Sequence, residues 1–140
     1  MLSLKEALFY CMENNRESLN LKNENAKNKA LVILKKGARH LVIKSSSIAY
    51  IYIENEITNV IDTAGKIYVC FDSLNKIEEN LDVRFFRANR QTIINIDFIK
   101  TFRIIERTKI IVEMDVNEAK NKIYISQDTA PKFREWITKL

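Results

Sequence analysis

The chain has 140 residues, 46% hydrophobic and 29% charged, which suits one domain with a real core and argues against global disorder. Lys and Arg outnumber Asp and Glu by 23 to 18, and a net charge of +5 admits an anionic partner without demanding one. A single histidine excludes a catalytic pair or a multi-histidine metal site, and two glycines leave little room for a phosphate-binding loop.

Residues 2–12, LSLKEALFYCM, read as a helix. Ser3 and Glu6 have capping-box spacing, Leu2 and Ala7 can form a hydrophobic staple, and Leu4, Ala7, Leu8, Cys11 and Met12 fall on one stripe. So short a helix needs a cover for that stripe, from this domain, a partner chain or a preceding domain. The asparagine-rich stretch that follows, up to about residue 30, has the composition of a solvated linker. Lys5 and Glu6 argue against a signal peptide and no apolar run could span a bilayer, so a cytoplasmic protein with no membrane partner is expected.

From Leu31 the pattern changes to strands. LVILKK, RHLVIK, IAYIYIE, ITNVID and KIYVCF are short, rich in β-branched and aromatic residues, and punctuated by Lys36-Gly37 and Ala64-Gly65. His40, alternating with apolar residues, is a strand or surface histidine rather than a ligand, and Cys11 and Cys70 fit small core positions rather than a disulfide. A short helix capped by Asp72 or Ser73 is expected next, with Leu74, Ile77 and Leu81 on one face. Strands resume around Phe85 and Ile93 and over residues 101–106, 109–114 and 122–125. The tail TAPKFREWITKL reads as a helix, with Pro131 in its first turn and Phe133, Trp136, Ile137 and Leu140 on one stripe. The fold class is therefore mostly β, antiparallel sheets with short helices, plus the N-terminal helix. Paired carboxylates such as Glu78-Glu79 and Glu54/Glu56 fit exposed positions, no nucleophile or base is positioned, and neither an enzyme nor a cofactor is expected.

Residues 84–98, RFFRANRQTIINIDF, combine dense arginine with a run greasy enough for protein interior. Between Arg84 and Lys109 seven bases face only Asp97 and Glu106, an excess as large as that of the whole chain. This is either a solvated sheet face or an electrostatic footprint for phosphates. Asp97 is expected to cap the turn after Ile96. Burying a guanidinium needs a partner, so Arg84 and Arg87 are equally phosphate clamps or partners of local acids.

The segment FFRANRQTIINIDFI resembles the signature of the LytTR DNA-binding domain, the output domain of many bacterial response regulators. SSIAYIYIENEIT, DTAGKIYVCFDSLNKIEENL and YISQDTAPKFREWI are similar to further segments of that family in the same order, so the resemblance covers about residues 30–140. It implies two regions: residues 1–30 as helix and linker, either a remnant of a receiver domain or a dimer element, and residues 31–140 as the DNA-binding domain. It further implies an elongated antiparallel β fold whose loops, not a helix, enter the grooves of double-stranded DNA, and a transcription regulator of two-component type acting as a homodimer on paired half-sites. The absence of a basic amphipathic reading helix agrees with this.

Carried over residue by residue, the resemblance puts Arg90 first as a base reader, with Asn89 and Gln91 beside it, since Arg suits guanine and Asn or Gln adenine. The alternative for Arg90 is a surface salt bridge. Asn55 and Thr58 correspond to a second loop, in which Glu56 would repel phosphate. At the third contact, where many members carry basic residues, Gln127 and Asp128 follow Ser126. Gln127 retains hydrogen-bonding capacity, the turn's backbone amides are expected to be free, and Lys132 adds charge. Arg87 completes the candidate set. The competing reading is a protein-interaction module on the same scaffold, its DNA contacts weakened by Glu56 and Asp128.

Overall fold

In a computed structural model of the chain, the described residues are 31–106, 108–117 and 120–140. The expected N-terminal helix and linker lie outside them, as does Arg107.

Among the described residues, runs rich in β-branched and aromatic residues form ten strands in three antiparallel sheets. β1 (Leu31–Lys36) and β2 (Arg39–Lys44) form a hairpin across Gly37, whose φ of +63° suits glycine. The central sheet has the order β5-β4-β3-β7-β6, from β3 (Ile48–Glu54), β4 (Ile57–Asp62), β5 (Ile67–Cys70), β6 (Phe85–Asn89) and β7 (Thr92–Asn95). The third sheet is β10-β9-β8, from β8 (Ile99–Ile105), β9 (Lys109–Met114) and β10 (Lys122–Ile125). Among the described residues there are two α-helices, α1 (Leu74–Glu79) between β5 and β6, and α2 (Ala130–Lys139) after β10. Ser73, not Asp72, caps α1, its hydroxyl accepting from the Lys76 amide at 3.2 Å.

The uninterrupted Ile93-Ile94 pair is explained by a central sheet that is covered on both faces. Ile93 packs with Val32, Leu34, Ile51, Val60 and the α1 residues Leu74 and Ile77. Ile94 packs on the opposite side with Ile110, Val112, Ile123, Ile125 and Phe133. Phe85 and Phe86 divide in the same way, one against each cluster. A strand buried on two sides has no polar face to alternate, so it reads as a continuous apolar run.

α2 closes the second core. Phe133 is fully buried and contacts Phe86 and Phe102 edge-on at 5.7 and 5.2 Å between ring centroids, while Trp136 stacks on Phe86 at 5.0 Å. Burying a phenylalanine contributes roughly 2–3 kcal/mol, and aromatic pairing adds to that. The Trp136 indole N–H donates to the Val83 carbonyl at 2.8 Å, tying the helix to the segment that leads into β6.

Two details differ from expectation. β8 begins at Ile99, two residues early, because Asn95 rather than Asp97 caps the short 3-10 turn Ile96–Phe98. The buried Asn95 accepts from the Asp97 amide at 3.0 Å and donates to the Ile48 carbonyl at 2.8 Å, which fixes where the chain leaves the central sheet. Asp97, freed from capping, holds Arg84 instead.

Candidate nucleic-acid interface

Strand register places the candidate loops at one end of the central sheet. Glu54 pairs with Ile57 across the β3–β4 turn, and the Ile53 amide donates to the Gln91 carbonyl at 2.8 Å, so the β3–β4 turn and the β6–β7 loop are neighbours. The first turn holds Asn55 and Glu56 at φ of 51° and 65°. Two-residue hairpin turns need such angles, and Asn tolerates them better than Glu.

The β6–β7 loop is held by a clamp of its own residues. Arg87 is partly buried and points back under the loop, where Nε donates to the Asn89 carbonyl at 2.8 Å and Nη2 to the Arg90 carbonyl at 2.7 Å. Its Nη1 reaches α1, bonding Asn75 Oδ1 at 2.9 Å and Glu78 Oε1 at 3.1 Å. A planar guanidinium with five donors can gather two carbonyls and two side chains at once, which a lysine cannot. Asn89 works from the other side: its amide nitrogen donates to the Tyr124 carbonyl of β10 at 2.8 Å, and its oxygen accepts from the Gln91 amide at 2.8 Å. Arg87 and Asn89 therefore shape the loop rather than extend from it. Nothing in the sequence marked Asn75 and Glu78 as its anchors beyond their spacing on one face of a helical pattern.

What extends is Arg90. It is exposed, and its guanidinium makes no hydrogen bond or ion pair among the described residues, unlike Arg84, which binds Asp97 through Nε at 2.8 Å and through Nη2. Asp97 raises the Arg84 pKa above its ordinary value, by hydrogen bond and by charge. Lys109 similarly pairs with Glu106 at 3.2 Å. The basic excess read between Arg84 and Lys109 is thus partly neutralised in place, leaving Arg90, Lys100 and Arg103 as the described cations there without a partner.

Two open grooves flank the loop, with Asn89 lining both. One is lined by Arg87, Arg90, Thr129 and Lys132, with Glu78 at its side. The other is lined by Asn55, Glu56, Gln91, Lys120, Lys122 and Tyr124. Lys120 pairs with Glu54 and lies over the Tyr52 ring, an arrangement with no sequence signal because 66 residues separate its partners. Gln127 and Asp128 are exposed in the turn before α2.

Thr58 is not brought to this surface. It is completely buried, and its hydroxyl donates to the Asp72 carbonyl at 2.7 Å, because it faces into the sheet next to the turn rather than standing in it. The amides expected to be free before α2 are also partly used, since Thr129 and Ala130 both donate to the Ser126 carbonyl, at 3.1 and 2.9 Å. Among the described residues, no cluster of His, Cys, Asp and Glu could hold a metal ion, and no helix is long and apolar enough to cross a membrane.

The family model of the LytTr DNA-binding domain matches residues 38–138. Among solved structures, the chain is similar to the LytTr DNA-binding domain of a Bacillus cereus protein described as a methyl-accepting/DNA response regulator. That likeness has a TM-score of 0.64 at 23% identity and covers 77% of this chain and 96% of that one, which speaks to the fold. None of the curated proteins matches.

Proposed function

The chain belongs to the LytTR DNA-binding domain family, and from that premise we propose that it reads double-stranded DNA sequence-specifically through the loops at one end of its central sheet. In this reading it regulates transcription as the output module of a two-component-type response regulator, acting as a homodimer on paired half-sites. The observation that supports it most is the contrast between Arg87 and Arg90. Arg87 spends its donors on the loop's own carbonyls, while Arg90 stands at the tip with every donor unclaimed among the described residues. A guanidinium on a pre-shaped loop can meet guanine edges with little ordering entropy left to lose.

Gln91 and Asn55 on one side, and Lys132 and Gln127 on the other, supply amide and ammonium donors to bases or phosphates next to Arg90. Thr58, enclosed in the sheet, has no place in that set. Arg87 and Asn89 act through the shape of the loop.

Selection of sites from a random duplex library tests the proposal. An enriched site should recur at helical-turn spacing if the regulator binds as a dimer. Arg90→Ala should weaken binding to that site by about 1–3 kcal/mol and binding to mixed-sequence duplex far less. Equal losses on both would reduce Arg90 to a simple charge.

The exposed acids Glu56 and Asp128 favour the second reading, a protein-interaction module. Passage through immobilised heparin or mixed DNA at low salt without retention is the result that reading expects.

A further inference from the structure

The strands also bring a second group of cations to the reading end of the sheet. Thr58 pairs with Cys70, so the C-terminal end of β5 lies beside the β3–β4 turn. There the Phe71 amide donates to the Lys35 carbonyl at 3.0 Å, and the Lys35 amide to Asp72 Oδ2 at 2.7 Å. Lys35, near the end of β1, is thereby fastened close to the β3–β4 turn that carries Asn55, while Lys36 and Arg39 line a groove with Ile67, Tyr68 and Val69 of β5. The stretch 31–53 contains no acid.

Two like-charge contacts occur in this group. Lys36 and Arg39 are direct cross-strand partners in the β1–β2 register, an arrangement that destabilises a hairpin. Both are exposed, and neither side chain makes a hydrogen bond or ion pair among the described residues. Lys35 lies against Lys76 of α1, whose ammonium holds the Lys35 pKa below its ordinary value. A carboxylate between them, Asp72, is 8% exposed, lies 3.8 Å from Lys76 and already accepts the Lys35 amide. Lys35 and Lys76 therefore share a largely enclosed acid, and Lys36 and Arg39 follow Lys35 with no acidic partner among the described residues. Repulsion of this kind is relieved when polyanion phosphates approach.

The same helix links this group to the reading loop. Asn75 and Glu78 of α1 hold Arg87, while Lys76 stands on the side toward Lys35. The outer strands of a five-stranded sheet are ~19 Å apart, beyond the ~12 Å width of a major groove. A duplex lying across this end of the sheet, with Arg90 in one groove, would carry its flanking backbone toward Lys76 and Lys35.

We propose that Lys35, Lys36, Arg39 and Lys76 form a phosphate-binding ledge that grips DNA backbone beside the sequence read by Arg90, without reading sequence itself. This rests on the DNA-reading function proposed above, and it adds a contact from a hairpin outside the loops assigned to bases.

The test uses the full chain and Lys36→Ala/Arg39→Ala, binding the duplex enriched by selection and a mixed-sequence duplex over a salt series. The expected result is a log K against log salt slope shallower by about 1–2 on both duplexes, with the ratio between them unchanged. Thermal unfolding should show the variant at least as stable as the parent, since a repulsive pair is removed. Parental binding with an identical slope in the variant overturns the ledge and leaves the reading function standing. A parent that binds neither duplex overturns both. A loss confined to the enriched duplex also overturns the ledge, because it would make these residues readers of sequence.

Discussion

Of the three arginines in one short segment, spaced three apart, each has a different task. Arg84 is bound to Asp97, Arg87 is folded under the loop, and Arg90 stands exposed at its tip, its guanidinium without a partner among the described residues. The alternation of a strand cannot by itself distinguish these roles, because the partner of Arg84 lies 13 residues away and those of Arg87 include α1. The sequence therefore told where the cations are, but not which are spent. Arg87→Lys separates shape from charge. It keeps the positive charge but cannot hold two carbonyls and two side chains, so discrimination between enriched and mixed duplex should fall about tenfold while the salt slope stays the same. Paired titrations of both duplexes at several salt concentrations measure this. A changed slope with intact discrimination would instead make Arg87 a phosphate contact.

At the scale of elements, the β3–β4 turn departs most from what its sequence prefers. Glu56 sits at φ 65°, where a non-glycine residue costs about 1 kcal/mol, and it brings a negative charge to a surface proposed to meet phosphate. Glu56→Gly completes the Asn-Gly pair favoured in such turns and should stabilise the fold by roughly 1 kcal/mol in denaturant unfolding. Duplex affinity should rise as well, and a drop in stability would show that Glu56 makes a contact that offsets its backbone cost. The strands and both described helices were legible because β-branched runs, Ser73 and Pro131 are local signals. The burial of Thr58, the Asn95 cap and the bridge from Asn89 to Tyr124 were not, because each depends on a neighbour reached only through the fold.

On the scale of the molecule, everything hangs on a sheet with two interiors. The adjacent residues Ile93 and Ile94 belong to separate clusters, one roofed by α1 and the β1–β2 hairpin, the other by α2 and the third sheet. Ile93→Ala and Ile94→Ala should each cost about 2–5 kcal/mol, although the two side chains face opposite ways. Calorimetry and far-ultraviolet circular dichroism should show one shared transition for the parent and both variants. Two transitions, each shifted by only one substitution, would mean that the layers unfold independently. The antiparallel β architecture read from the sequence is the one observed, and the double covering explains why the apolar run in β7 could not have been a half-exposed strand.

The chain contains one tryptophan, and its ring lies face to face with Phe86, next to the arginine that props the loop. The molecule thus carries an intrinsic optical gauge at the junction between the C-terminal helix and the central sheet. Its emission should shift to longer wavelength when that junction opens, so undocking of α2 can be timed against the proposed DNA binding without attaching a dye.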